Sequence, residues 1–238
     1  MRNKNILLIG GSGGIGTAIG ESLIKNFNLI TASRNKPSYS SEFIYLDLGN
    51  DDSINSFCKE IKKKYKSLDG LIFASGKSIN PKKELDKKLQ SAEIFRELIE
   101  LNVISFYKII CQLDTFLNKN SSIILISSIG AHISFPNNPG YQASKAALES
   151  LARSLSNDLS HKNIRINAIA LGYFKTKMTE ESFNNIETRI QRSSKTIMNR
   201  WGDPDEIKGI INFLISSSSS YITGSTIFID GGWHIKGL

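Results

Sequence analysis

The run Ile6-Leu7-Leu8-Ile9 leads directly into Gly10-Gly11-Ser12-Gly13-Gly14-Ile15-Gly16, and no other junction constrains the fold as much. Four apolar residues bounded by glycine read as a strand buried on both faces. Residues 14–26 read as a helix, so the glycines form a strand-to-helix turn. Glycine permits the tight turn and lets backbone N–H groups approach a bound anion. The helix N-terminus turns partial positive charge on the same anion. Placed between a first strand and a first helix, such a turn suits a pyrophosphate. Its spacing, Gly10, Gly14, Gly16, is G-x-x-x-G-x-G.

The alternation continues along the chain. Apolar runs at 29–32, 43–46, 70–74, 123–127, 164–170 and 225–229 read as strands. Amphipathic stretches at 51–65, about 91–118, 140–160 and 205–216 read as helices. Asp51 or Asp52 is placed to cap the first of these. The link from Arg34 to Glu42 has room for little or no helix. Strands alternating with helices imply an α/β fold: a doubly wound, Rossmann-type parallel sheet of about seven strands with helices on both faces. No linker or repeat divides the 238 residues, so residues 1–238 are expected to form one dinucleotide-binding domain. The serine run 216–220 reads as a surface connection. Segments 77–90 and 178–199 stand outside the alternation. Both follow strands on the side where open α/β sheets bind ligands. The second, polar and only partly helical, is the expected substrate lid, with an ordinary surface excursion as the alternative.

Composition removes several function classes. No apolar run approaches the roughly 20 residues of a membrane span, and residues 6–9 are too short for a signal-peptide core. Cys58 and Cys111 have no metal or redox spacing, which suggests reduced thiols in the cytoplasm and no metal site. The net charge is +8, but the lysines are dispersed apart from Lys62-Lys63-Lys64 and the stretch 77–88. Without arginine–aromatic interleaving or zinc-finger spacing, the basic charge does not read as nucleic-acid binding.

The chemistry lies further along. The second strand ends at Ala32-Ser33-Arg34. A carboxylate there would accept hydrogen bonds from ribose hydroxyls; Ser33 and Arg34 suit a 2′-phosphate instead, so NADP(H) is favoured over NAD(H). In Tyr141-Gln142-Ala143-Ser144-Lys145 a phenol and an amine lie one helical turn apart on one face, with Ser127 and Ser128 upstream. A nearby ammonium is expected to lower the tyrosine pKa and make it a usable acid or base.

In order and spacing these pieces resemble the short-chain dehydrogenase/reductase family over essentially the whole chain. Gly10 to Gly16 is similar to its glycine motif, and Asp47-Leu48 to its adenine-contacting pair. Phe73-Ala74-Ser75-Gly76 falls at its Asn-Asn-Ala-Gly segment, and Asn102 at its catalytic asparagine. Ser128 lies 13 residues before Tyr141, the family's serine-to-tyrosine spacing. Leu171-Gly172-Tyr173-Phe174-Lys175-Thr176 is similar to its Pro-Gly-x-x-x-Thr cofactor segment. Tyr221-Ile222-Thr223-Gly224 and Asp230-Gly231-Gly232 are similar to its C-terminal signature. The resemblance implies a catalytic tetrad of Ser128, Tyr141, Lys145 and Asn102. It implies cofactor contacts at Gly10, Ser12, Gly13, Gly14, Ile15, Gly16, Ser33, Arg34, Asp47, Leu48, Ala74, Ser75, Gly76, Tyr141, Lys145, Gly172, Phe174 and Thr176. Ser128 would polarise a carbonyl, Tyr141 would carry the proton, Lys145 would bind the ribose, and Asn102 would anchor a water linking Lys145 to solvent.

The departures are local. Ile9 stands where the family has threonine, removing one polar contact from the glycine turn. Phe73, Ala74 and Ser75 lack the asparagines that stitch the central strands, and Leu171 replaces proline. The expected activity is NADP(H)-dependent interconversion of a carbonyl and a secondary alcohol, first as a 3-oxoacyl-[acyl-carrier-protein] reductase-like enzyme. Its basic surface, including Lys175 and Lys177, would then face an acidic carrier protein. The subgroup's arginine in the glycine loop is absent, Gly13 standing there. The alternatives are a sugar, polyol or small-ketone dehydrogenase/reductase, and a non-catalytic dinucleotide-binding protein. His132 reads as a solvated loop residue or a lining of the substrate entrance, and Trp201 as packing. By resemblance, the helices around Asn102 and Tyr141 would pair in a homo-oligomer, a dimer or tetramer.

Overall fold

The computed structural model describes residues 4–79 and 89–236. Seven parallel strands form one sheet: β1 (Asn5–Ile9), β2 (Asn28–Ser33), β3 (Glu42–Tyr45), β4 (Leu68–Phe73), β5 (Leu117–Ser128), β6 (Arg165–Leu171) and β7 (Thr226–Ile229). Their order is β3-β2-β1-β4-β5-β6-β7. The direction of winding reverses between β1 and β4, which creates the crevice where ligands bind in such sheets.

The helices are α1 (Gly14–Leu23), α2 (Asp51–Lys64), α3 (Ala92–Ile99), α4 (Ser105–Leu113), α5 (Pro139–Asp158), α6 (Glu180–Asn184), α7 (Ile186–Ser193) and α8 (Lys208–Ile215). Side chains alternate across the sheet, and β1 shows the consequence. Leu7 and Ile9 face a core shared with Phe57, Ile61, Phe106, Ile109 and Leu148 from α2, α4 and α5. Ile6 and Leu8 face a second core with Ile19, Leu23, Ile211 and Leu214 from α1 and α8. Burial on both faces is why the strands are uninterrupted apolar runs.

Several boundaries differ from the sequence reading. The single helix expected at 91–118 is broken: residues Glu100–Ile104 wind as a π-helical turn, with Ser105 N–H donating to the Glu100 carbonyl. It then ends early, because β5 already starts at Leu117. The first part of β5 is irregular. Leu117 lies opposite Leu68 but Ser122 opposite Gly70, and Asn120 takes a left-handed φ of 63°. Asn50, not Asp51 or Asp52, caps α2, its side chain accepting from Ser53 N–H. The two aspartates occupy the first turn, where they complement the helix dipole. The serine run is not wholly superficial. Ser219 is buried and accepts a 2.7 Å bond from Arg165 Nη1. No helix separates β2 from β3, as expected. Part of the 77–90 segment lies outside the described residues. The 178–199 excursion folds into α6 and α7, and its apolar side chains Met178, Ile186, Ile190, Ile197 and Met198 are exposed. No helix among the described residues is long and apolar enough to cross a membrane.

Candidate active site

The glycine turn at the C-terminal end of β1 is fixed by close packing. Gly10 has φ +88°, and a Cβ there would lie 2.6 Å from Ser75 N; one on Gly16 would lie 2.0 Å from the Gly10 carbonyl oxygen. The β1–β4 crevice is thereby closed at its base, with Ala74 N–H donating to the Ile9 carbonyl at 2.8 Å. A Cβ on Gly14 would fall 2.8 Å from Thr176 Cβ, so the turn and the 172–176 segment meet although Gly14 and Thr176 lie 162 residues apart in sequence. Gly13, by contrast, is not crowded: a Cβ there would meet only the Gly10 carbonyl oxygen, at 3.6 Å. It is the N-cap of α1, contributes no side-chain cap, and no acidic residue follows in the first turn. The first-turn N–H groups therefore have no side-chain acceptor and are available to an anion. This is the donor set a pyrophosphate needs, and Ser12, Gly13, Gly14, Ile15, Gly16 and Thr176 could hold it.

At the end of β2, Ser33 Oγ donates to the Asn35 carbonyl at 2.7 Å, while Arg34 is exposed. After β3, Asp47 Oδ1 accepts from Gly49 N–H at 3.0 Å, and Leu48 packs partly against the core. Gly172 abuts Asp230, its backbone N–H donating to Ile229 at 3.0 Å. Phe174 is buried in the second core, so a ligand would meet its backbone and not its ring.

The four tetrad candidates come from three elements. Ser128 ends β5. Tyr141 and Lys145 lie one turn apart on α5, and Asn102 sits in the π-helical turn. Ser128 Oγ accepts from Gly130 N–H at 3.1 Å, which leaves its own proton free to point elsewhere. Asn102 Oδ1 accepts from Lys77 N–H at 2.8 Å. Its amide donates to the Lys77 carbonyl at 3.0 Å and to Ser144 Oγ at 2.9 Å. Asn102 thus ties the segment that follows β4 to α5 directly. Lys145 Nζ donates to the Ile126 carbonyl at 2.9 Å and lies 5.7 Å from the centre of the Tyr141 ring. Gly76 makes room for it: a Cβ there would come within 2.9 Å of Nζ.

The electrostatics correct one expectation. Burial raises the Tyr141 pKa above the usual phenol value; the Ser128 hydrogen bond opposes the rise, and Tyr173 adds to it. The lysine does not reverse this: it is not among the groups that shift the phenol, and its own burial lowers Lys145 to about 8. In the protein alone, desolvation therefore outweighs the cation and holds the phenol protonated, the form a proton donor needs.

Three features escaped the sequence reading. The first is Tyr39, in the loop that replaces a helix between β2 and β3. Its hydroxyl lies 3.2 Å from the Gly11 carbonyl and 3.2 Å from Thr31 Oγ1, bracing the glycine turn where Ile9 offers no polar group. The absence of Cβ atoms at Gly11 and Gly20 is what admits its ring. The second is the His132–Glu149 pair. His132 is exposed, as expected of a solvated loop residue, yet its ring is held. Its Nε2 lies 2.7 Å from Glu149 Oε2, and Glu149, buried and one turn beyond Lys145, also accepts from Ser127 Oγ at 2.7 Å. The third is an aromatic wall. Tyr173 stacks on Trp233 with centroids 5.1 Å apart and meets Trp201 at 5.0 Å. Phe135 meets both Tyr173 and Trp233 edge-on. Only the fold brings these rings together.

Comparisons with known proteins agree with this architecture. A family model described as Enoyl-(Acyl carrier protein) reductase matches residues 16–234. A 2-dehydro-3-deoxy-D-gluconate 5-dehydrogenase of Pseudoalteromonas atlantica is 29% identical over 79% of this chain and 73% of its own length. The 3-oxoacyl-[acyl-carrier-protein] reductase MabA of Mycobacterium tuberculosis is 26% identical over 97% of this chain and 92% of its own. The chain spans only 43% of another curated relative, an uncharacterized short-chain type dehydrogenase/reductase of Sinorhizobium fredii, at 26% identity over 96% of this chain. Among solved structures, a short chain dehydrogenase family protein from Francisella tularensis superposes with a TM-score of 0.89 at 30% identity, covering 98% of this chain and all of that one.

Proposed function

The chain belongs to the short-chain dehydrogenase/reductase family of oxidoreductases, and on that premise we propose that it is an NADP(H)-dependent enzyme interconverting a carbonyl and a secondary alcohol. The observation that carries this reading is the convergence of Ser128, Tyr141 and Lys145 beside the crevice at the ends of β1 and β4. The dinucleotide would be held by the α1 N-terminus, Asp47, Leu48, residues 74–76 and the 172–176 segment. Bound there, its nicotinamide supplies the hydride.

The side chains do the rest. The Ser128 hydroxyl, accepting from Gly130 N–H, donates a hydrogen bond to the carbonyl oxygen, keeping its proton, and stabilises the charge that develops there. Tyr141, kept protonated by burial, delivers its proton to that oxygen; in the reverse direction its phenolate takes the proton back. Lys145 supplies positive charge beside the phenol and a donor for ribose hydroxyls. Asn102 fixes the Lys77 backbone and Ser144 around the amine. Arg34 and Ser33, with no carboxylate in their place, support NADP(H) over NAD(H). Residues 178–199, as α6 and α7, are the substrate lid. Partly exposed Phe95 and Tyr107 on α3 and α4 support pairing of these helices in a homo-oligomer.

Two substrate classes share this machinery: a 3-oxoacyl thioester on acyl-carrier protein, and a polar ketone or sugar derivative. The test is NADPH and NADH oxidation measured against an acetoacetyl thioester and a panel of sugars, oxo acids and ketones. NADPH-dependent reduction of any of them supports the proposal. Dinucleotide binding with no turnover across the panel contradicts it.

A further inference from the structure

The aromatic wall carries a cation. The Arg192 guanidinium, on α7, lies over the face of Tyr173 with Cζ 4.1 Å from the ring centre, and 5.8 Å from the Trp201 ring. Among the described residues it has no carboxylate within salt-bridge distance. Stacking uses the flat face of a guanidinium and leaves its edge N–H groups free, the fork that grips carboxylates and phosphates. The Trp201 indole N–H donates to the Arg189 carbonyl at 3.1 Å, which pins α7 to the same wall. Two more cations lie nearby: Lys175 Nζ is 5.1 Å and Arg189 Cζ 5.3 Å from the Phe183 ring.

This wall borders the tetrad. A Cβ on Gly130 would lie 3.2 Å from the Phe135 ring and 3.4 Å from Ser128 Oγ. Phe135 in turn meets Tyr173 at 6.0 Å, and Tyr173 is close enough to Tyr141 to affect its ionisation. One aromatic ring therefore separates Arg192 from the proposed proton donor.

We propose that Arg192, seated on Tyr173, binds an anionic group of the substrate, a carboxylate or phosphate within a few bonds of the reacting carbonyl. The substrate is then a compact oxo acid or oxo phosphate and its hydroxy counterpart. A carrier-tethered thioester has its nearest phosphate many bonds from the carbonyl and cannot place it there. The inference rests on the carbonyl-reduction reading of Tyr141, and it is tested separately from turnover.

Trp201 and Trp233 are the two tryptophans of the chain, and both belong to the wall, so intrinsic fluorescence reports on the site. The enzyme saturated with NADP⁺ is titrated with acetoacetate, 5-dehydro-D-gluconate and dihydroxyacetone phosphate. The neutral probes are ethyl acetoacetate and dihydroxyacetone. At least one anionic probe is expected to bind saturably and more tightly than its neutral counterpart. In Arg192→Gln its Kd rises about tenfold or more, while neutral probes change less than about twofold and NADP⁺ binding is retained. Arg192→Lys, which keeps the charge but loses the fork, falls between. A response confined to the carboxylates or to the phosphate identifies which anion is bound. The proposal is overturned if Arg192→Gln leaves every anionic Kd unchanged, or if it weakens neutral and anionic probes equally, as a purely packing arginine would. Absence of turnover with an Arg192-dependent ligand would instead remove the reductase reading.

Discussion

Lys145 Nζ is bonded to the Ile126 carbonyl at 2.9 Å, so the buried amine is anchored to the end of β5 and not only to its helical neighbour Tyr141. Burial lowers its pKa to about 8, and two pH effects follow. In ketone reduction, kcat/KM should fall as pH rises through about 8 and the ammonium is lost. In Lys145→Met that limb should disappear and turnover should drop by at least 100-fold, which initial rates from pH 6 to 9.5 would read.

Stability should move in the opposite direction. The folded-state pKa lies below the unfolded value of 10.5, so between about pH 8 and 10 the unfolded chain binds more protons. The cost of burying the ammonium, about 3 kcal/mol at most, is fully present below pH 8 and is relieved as pH rises. Above 10 the raised phenols Tyr39, Tyr141 and Tyr173 reverse the trend, because the unfolded tyrosines ionise first. The difference in unfolding free energy between wild type and Lys145→Met, measured in urea at pH 7.5 and 9.5, should shift in the wild type's favour at the higher pH.

Tyr39 should matter to both stability and dinucleotide binding. Tyr39→Phe removes the hydroxyl from the Gly11 carbonyl and Thr31, at about 1 kcal/mol. Tyr39→Ala also empties the space over Gly11 and Gly20, at about 3–5 kcal/mol. Urea melts give the first comparison. NADPH titration should show weaker binding in both variants, since the turn they brace holds the candidate pyrophosphate donors.

Much of this was legible in the chain. Alternating apolar runs gave a sheet with both faces covered, and the positions of Gly10, Gly14 and Gly16 gave the first βα turn. The Tyr141–Lys145 spacing fixed a shared helix face. What stayed hidden depends on contacts between distant residues. A tyrosine in a loop carries no local sign that Gly11 and Gly20 are hollowed to receive it. The π-helical turn at Asn102 inserts its extra residue without a proline or glycine to mark it. The direction of the Tyr141 shift could not be read from spacing, because it is set by desolvation, a property of the assembled core.

Arg34→Glu should reverse cofactor choice. The substitution places a carboxylate where ribose hydroxyls can donate and repels a 2′-phosphate. The ratio of kcat/KM for NADPH to that for NADH should fall by at least tenfold, with kcat under saturating cofactor little changed. An unchanged ratio would remove Arg34 from the site.

Gly76 tests the packing around the amine. Gly76→Ala would place a methyl 2.9 Å from Lys145 Nζ, and the amine, held by Ile126, has little freedom to retreat. Turnover should fall by about tenfold through misplacement of Lys145. Far-UV circular dichroism should be unaltered.

The central claim, that Tyr141 is the proton donor, is tested most directly by Tyr141→Phe, assayed for NADPH binding by fluorescence titration and for ketone reduction under saturating NADPH. The account predicts an NADPH Kd within about threefold of wild type and turnover reduced by at least 1000-fold, the loss of a positioned acid and its hydrogen bond to Ser128. Turnover within tenfold of wild type, with binding intact, would contradict it.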